Sequence, residues 1–201
     1  MIRNLIFDVG DVLFSYRWDA VLRESGLRDE EILSARDEIF CSEIWNEGLD
    51  MGIMTTEDAL AAYRLRCPHF ADTAAYMLAH GPELAVPRPE IYGKMMKLKE
   101  KGYRIYLLSN YSEDLFRQHT QGREFMKALD GAVVSYQVKM IKPDEGIYRA
   151  LLEKYDLDPE ECFFMDDRAE NIEAGKRLGF HGRQITSREM LGELLDGFLA
   201  V

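Results

Sequence analysis

Leu5-Ile6-Phe7-Asp8-Val9-Gly10-Asp11 opens the chain with three apolar residues that stop at a carboxylate, a glycine and a second carboxylate. A short apolar run ended by turn residues reads as a buried strand whose carboxyl end opens into a loop. Three further runs have this form: Tyr103 to Leu108 ahead of Ser109-Asn110, Ala132-Val133-Val134, and Cys162 to Met165 ahead of Asp166-Asp167. Between them lie segments with helical periodicity and helical punctuation. One has Pro89 in its first turn and Gly102 past its end; a second is predicted from about Pro143 through Ile147, Ala150 and Leu151 toward Tyr155. A third runs from Arg168 to Leu178 with Gly179 as its stop, and a last follows Thr186 with Glu189 as capping-box partner. Alternation of strand and helix from residue 89 onward predicts right-handed crossovers, and so an α/β fold with a parallel sheet covered by helices on both faces.

Residues 16–86 break the alternation. Trp18, Val21 and Leu22, then Ile32, Ala35 and Ile39, then Ala59, Leu60 and Tyr63 recur at helical spacing, and no strand-like run is visible. This segment is expected to be an inserted all-helical cap, with Pro82, Pro87 and Pro89 marking the return. The expected division is therefore a core of residues 1–15 and 87–201 and a cap of residues 16–86.

The 201 residues are 47% hydrophobic and 30% charged, which fits a globular chain and excludes disordered and fibrous classes. Twenty-five basic and 36 acidic residues leave a net charge of -11, a field that repels nucleic acid and anionic lipid, and no basic patch offsets it. Neither nucleic acid nor a membrane is an expected partner. Cys41, Cys67 and Cys162 are odd in number and lack CxxC spacing, so neither a disulfide framework nor a zinc site is expected. Met1 to Phe7 starts like a signal sequence, but Asp8 and Asp11 end the apolar run too early for one. No segment reaches the roughly 18 apolar residues of a membrane span, and a cytoplasmic location is the expectation.

In an open parallel sheet, ligands bind beyond the carboxyl ends of the strands. Those ends carry Asp8, Ser109-Asn110 and Asp166-Asp167, while Lys142 stands before Pro143 at the head of a helix. Singly, each has an ordinary explanation as a turn residue, an N-cap or a solvated lysine. Together, and in this order, they point to one rim suited to an anionic substrate with a divalent cation.

The succession Leu-Ile-Phe-Asp, Leu-Leu-Ser-Asn, Lys-Pro-Asp and Phe-Phe-Met-Asp-Asp resembles the four signatures of the haloacid dehalogenase-like hydrolase superfamily, over nearly the whole chain. The stretch from Asp166 to Gly175 resembles its phosphatase-type members. The resemblance implies a Rossmann-like core with a helical cap, and hydrolysis of a small phosphorylated metabolite through an aspartyl-phosphate formed on Asp8. It further implies Mg²⁺ on Asp8, the Gly10 carbonyl and Asp166, with Asp167 a ligand or a close supporting group. Ser109 would hydrogen-bond a phosphoryl oxygen, Lys142 would neutralise charge and Asn110 would shape the pocket.

One departure stands out. Most phosphatases of this superfamily read Asp-x-Asp, and Gly10 replaces the second, acid-base aspartate; losing such a group typically costs about a hundredfold to ten-thousandfold in rate. Asp11 is next in line, although an adjacent residue generally points elsewhere, and it is grouped with Asn110 and Arg17 as a substrate contact. Phe-Asp-Val-Gly-Asp-Val-Leu also resembles a subgroup reading Asp-x-Gly-Asn that includes sugar-1-phosphate phosphatases, which implies a sugar phosphate with an easily leaving anomeric oxygen. Selectivity is expected from Arg17, Trp18, Trp45 and Asn46 of the cap, the two tryptophans being read first as bundle core and Arg17 equally as a surface charge. Three alternatives remain: a metal-free dehalogenase, disfavoured by repulsion between Asp166 and Asp167; a phosphosugar mutase; and a phosphate-binding or sensing protein without turnover.

Overall fold

The computed structural model describes residues 1–201. Its strands are β1 (Asn4–Phe7), β2 (Phe14–Tyr16), β3 (Ala85–Pro87), β4 (Arg104–Ser109), β5 (Gly131–Val134), β6 (Cys162–Asp166) and β7 (His181–Gln184). Five of them form a parallel sheet in the order β5-β4-β1-β6-β7, with β1 in the middle. Strand period two sorts the side chains. Leu5, Phe7, Ile105 and Leu107 join one buried cluster; Ile6, Tyr106 and Leu108 join another on the opposite face.

The helices are α1 (Trp18–Glu24), α2 (Ile32–Phe40), α3 (Thr56–Arg66), α4 (Ala71–Ala79), α5 (Pro89–Glu100), α6 (Glu113–Thr120), α7 (Ser135–Val138), α8 (Glu145–Tyr155), α9 (Ala169–Arg177) and α10 (Arg188–Ala200). Ile91 and Leu98 of α5 and Leu191 and Leu195 of α10 cover the first face, whereas Ile147 and Leu151 of α8 and Ile172 of α9 cover the second. The sheet is thus enclosed on both sides, as parallel sheets require. None of the helices is long and apolar enough to cross a membrane.

α1 to α4 lie between β2 and β3 in the chain, joined through a π-helical stretch, Ile44–Asp50. The Thr55 side chain caps α3 reciprocally with Asp58, a Thr-x-x-Asp version of the capping box. The interval expected to be helical throughout is not. Tyr16, Ala85 and Val86 belong to β2 and β3, an antiparallel ribbon at the base of the insertion with Phe14 opposite Pro87 and Tyr16 opposite Ala85. Strands of three residues are too short to show alternation, which is why the periodicity passed over them.

Two other differences are local. β7, His-Gly-Arg-Gln, carries no apolar run because it is an edge strand, and at Gly182 a Cβ would stand 2.9 Å from the Phe164 carbonyl. The cap of α10 is Ser187, whose side chain accepts the Met190 N–H at 3.1 Å; Thr186 lies one residue before it.

Arg88 secures the return from the insertion. Buried beside β3, it donates to the Val12 carbonyl (3.0 Å) and to Ser15 Oγ (2.9 Å), tying the second ribbon strand to the loop after β1. Arg88→Met keeps the stem and removes both bonds, leaving a buried carbonyl unpaired. The expected loss is about 2 kcal/mol, read as a lower urea midpoint at unchanged slope.

Candidate active site

Asp8 is the first residue beyond β1, and its backbone N–H still reaches the Met165 carbonyl at 2.9 Å. The strand ladder itself therefore sets where the carboxylate stands. Ser109 closes β4 on one side and Asp166 closes β6 on the other. Ser109 Oγ donates to Asp8 Oδ1 (2.6 Å), and Lys142 Nζ reaches the same Oδ1 (2.8 Å) and Asp166 Oδ2 (2.6 Å). Asn110 holds Lys142 by its backbone: Nδ2 donates to the Lys142 carbonyl (3.0 Å) and Oδ1 accepts the Lys142 N–H (2.8 Å). Asp166 Oδ1 accepts from Asn171 Nδ2 (2.9 Å) and from the Arg168 N–H (2.8 Å). Both bonds to Asp8 fall on Oδ1, so Oδ2 is the oxygen left for a partner outside the chain.

Asp8, Asp166 and Asp167 each bring a carboxylate oxygen within 4.8 Å of the others. Three carboxylates against the single Lys142 ammonium leave two negative charges in excess. Burial raises the Asp8 pKa, with Lys142 pulling the other way. Burial, then Asp8 and Asp166, push Asp167 up to about 7. For Lys142, burial alone would favour the neutral amine; Asp166 and Asp8 outweigh it, and the pKa lies above the ordinary lysine value. The Gly10 carbonyl accepts no backbone hydrogen bond, and Gly10 borders the same cavity.

That cavity, about 370 Å³, is lined at this end by Asp8, Gly10, Asp11, Asn110, Lys142 and Asp167. Ser109 and Asp166 lie beneath it, fully buried. Asp11 borders the cavity with one oxygen already engaged, since Oδ1 accepts the Tyr16 N–H (2.9 Å) and closes the turn into β2. Arg17 lies outside the cavity wall, contrary to the expectation of a substrate contact; its guanidinium turns along α1 and pairs with Glu24. Trp18, Trp45 and Asn46 line the cavity, and Trp45 is also core, being 9% exposed.

Several lining residues escaped the sequence reading. The i→i+5 turn of the π-helical stretch brings Asp50 to the cavity with Trp45 and Asn46. Asp50 is buried, and burial is the main cause that pushes its pKa up to about 8. Nothing in Gly48-Leu49-Asp50 distinguishes it from a loop acid. Asn171 stands five residues beyond Asp166 in the fourth signature, but its contact with that carboxylate is made only in space. At Gly10 a Cβ would lie 2.7 Å from Tyr16 Cε2. The Tyr16 ring therefore occupies the corner into which a side chain at position 10 would extend.

Lys142→Met buries Asp8 and Asp166 together without their cation. In chelator at neutral pH the expected loss of stability is about 3–5 kcal/mol by urea unfolding, and a loss under about 1 kcal/mol contradicts the pairing. Asp50 titrates the other way. Its folded pKa lies above the unfolded value, so its contribution to stability is complete below about pH 4 and is lost as pH rises toward 8. Asp50→Asn removes this dependence, and the melting temperature of the metal-free variant, relative to the unaltered protein, should climb between pH 5 and pH 8.

Comparison with known proteins bears on this geometry. A family model described as haloacid dehalogenase-like hydrolase matches residues 2–179. A drimenol cyclase of Aspergillus calidoustus is 28% identical over 198 residues, 94% of this chain, although the chain spans only 36% of that protein's length. A sesquiterpene phosphatase of Aspergillus oryzae is 26% identical over 184 residues, 90% of this chain and 88% of that one. A D-ribitol-5-phosphate phosphatase of Bacteroides thetaiotaomicron is 25% identical over 192 residues, 90% of each. Among solved structures, the magnesium complex of an enzyme of this family from Bacteroides thetaiotaomicron shares the fold at a TM-score of 0.73 and 24% identity, covering 96% of this chain and 98% of that one. The family match runs through all four strand-end signatures, and the chain belongs to the haloacid dehalogenase-like hydrolases.

Proposed function

We propose that the protein is a magnesium-dependent phosphatase of small phosphate monoesters, with Asp8 as nucleophile and the helices between β2 and β3 as a cap over the site. The gathering of Asp8, Asp166 and Asp167 around one lysine carries this reading. The donors are carboxylate oxygens with the Gly10 carbonyl beside them, a set that suits a hard cation retaining waters. Asn171 Oδ1, buried and without a partner in the chain, fits a donor from such a water. Two phosphatases among the relatives support the same reaction class.

Asp8, Asp166 and Asp167 would hold the cation, which when bound offsets the repulsion between Asp8 and a phosphate and polarises a phosphoryl oxygen. Ser109 and Lys142 pin Asp8 Oδ1, so Oδ2 faces phosphorus. Attack by Oδ2 forms the aspartyl-phosphate while the bond from phosphorus to the alcohol oxygen breaks. No carboxyl stands at position 10, so the departing alkoxide takes its proton from water. A second water then attacks phosphorus and gives its proton to the hydroxide left by the first, the acyl-phosphate bond breaks, and inorganic phosphate leaves with the Asp8 carboxylate restored. Lys142 keeps its charge throughout and screens Asp8 from Asp166. Metal-free attack on carbon, the dehalogenase alternative, leaves the three carboxyl groups of Asp8, Asp166 and Asp167 crowded around Lys142 with no role for the third.

Release of phosphate from 4-nitrophenyl phosphate should require Mg²⁺, stop in chelator, and fall by more than about a thousandfold in Asp8→Asn. Halide release from 2-chloropropionate in chelator, or phosphate binding without turnover, overturns the proposal.

A further inference from the structure

The acidic end of the cavity suits any phosphate, and selection falls to the remainder of the wall. That wall is aromatic and aliphatic: Tyr16, Trp18, Phe40, Trp45, Tyr111 and Leu115. Phe40 and Trp45 meet edge to face at 4.6 Å between centroids, and the rings of Tyr16 and Tyr111 stand 6.3 Å apart.

Polar side chains occur in this wall, and most of them are tied to the protein; Asp50, buried where the π-helical stretch meets the acidic end, is the one carboxyl among them. His119 accepts the Tyr111 hydroxyl on Nδ1 (2.6 Å) and donates from Nε2 to the Gly81 carbonyl (2.6 Å). Burial lowers its pKa, in keeping with a neutral ring in that tautomer. Asn46 Nδ2 donates to the Ser42 carbonyl (3.1 Å). Arg36 pairs with Asp37 (2.6 Å) and lies over the Trp18 ring at 5.5 Å, while Arg168 pairs with Glu170 (2.6 Å). A polyol brought against these groups would leave hydroxyls desolvated and without partners, whereas a hydrocarbon would lose only its contact with water.

The glycine of the first signature belongs to the same feature. A Cβ at position 10 would meet the Tyr16 ring, so Gly10 and Tyr16 together put an aromatic face where a carboxyl would otherwise stand. The resemblance of the first signature to a subgroup that includes sugar-1-phosphate phosphatases implies a polyol; this wall points the other way.

We infer that the cavity selects phosphate monoesters whose alcohol part is apolar, an aryl or long alkyl group, over sugar phosphates. The inference rests on the phosphatase reading above, and its test separates the two. With Mg²⁺ present, kcat/KM is measured for octyl phosphate, 2-naphthyl phosphate, D-ribitol 5-phosphate and glucose 1-phosphate, beside 4-nitrophenyl phosphate. The apolar esters should exceed both sugar esters by at least about tenfold. Turnover of none of the five would end the phosphatase reading, and with it this inference; turnover with the sugar esters equal or better would end the inference alone.

Trp45→Ala should raise KM for octyl phosphate about tenfold and KM for glucose 1-phosphate less than twofold, and equal effects on both contradict the proposal. Because Trp45 also packs in the core, the unaltered protein supplies a second readout. Inhibition constants for methyl-, butyl- and octylphosphonate should fall at least about tenfold along the series, and a flat series contradicts an apolar site.

Discussion

Lys142 sits between Asp8 and Asp166 with its ammonium within hydrogen-bonding distance of both and almost no exposure to solvent. A buried lysine is costly unless paired, and two adjacent buried carboxylates are costly unless a cation divides them. Each group makes the other two tolerable. The triad also joins three distant parts of the chain, because Asp8 ends β1, Asp166 ends β6, and Lys142 is clamped by Asn110 just past β4. Parallel pairing of β1 with both β4 and β6 makes this convergence possible, since it aligns the carboxyl ends of the three strands.

The triad accounts for one of the three carboxylates' charges and leaves the rest of the site open to a further cation. This imbalance separates a site able to take a cation from a structural ion pair. Asp167 shows it most clearly: its pKa rises to about 7 from burial and from the two aspartates beside it, with Lys142 too committed to hold it down. Perturbation of this kind, in a cavity, is typical of functional positions.

The insertion contributes differently. The β2–β3 ribbon and Arg88 attach it firmly at the base, and its π-helical turn carries Trp45, Asn46 and Asp50 onto the cavity. Charge is concentrated at the sheet end and aromatic surface at the other. Core and insertion both line the cavity, and Tyr16, a ribbon residue packed on Gly10, stands where the two meet.

Much of the core was legible in the residues themselves. Asp8, Ser109, Asn110, Lys142, Asp166 and Asp167 each end or follow an element whose apolar run or helical punctuation is local, so order along the chain was enough to gather them. Arg17 does not line the cavity, because a cation near the first turn has many exposed partners, and Glu24 is two turns of helix further on. Asp50 and His119 carried no signal, since their positions depend on how the insertion folds back, with contacts spanning dozens of residues. The amino-acid sequence by itself determined the sheet, its helical cover and the acidic rim, because strand-end chemistry is encoded within a few residues. Only the tertiary structure decided that most polar tips of the cavity wall are spent on the protein and that an aromatic ring fills the corner beside Gly10, because hydrogen-bond partners and packing neighbours are settled by distance in space.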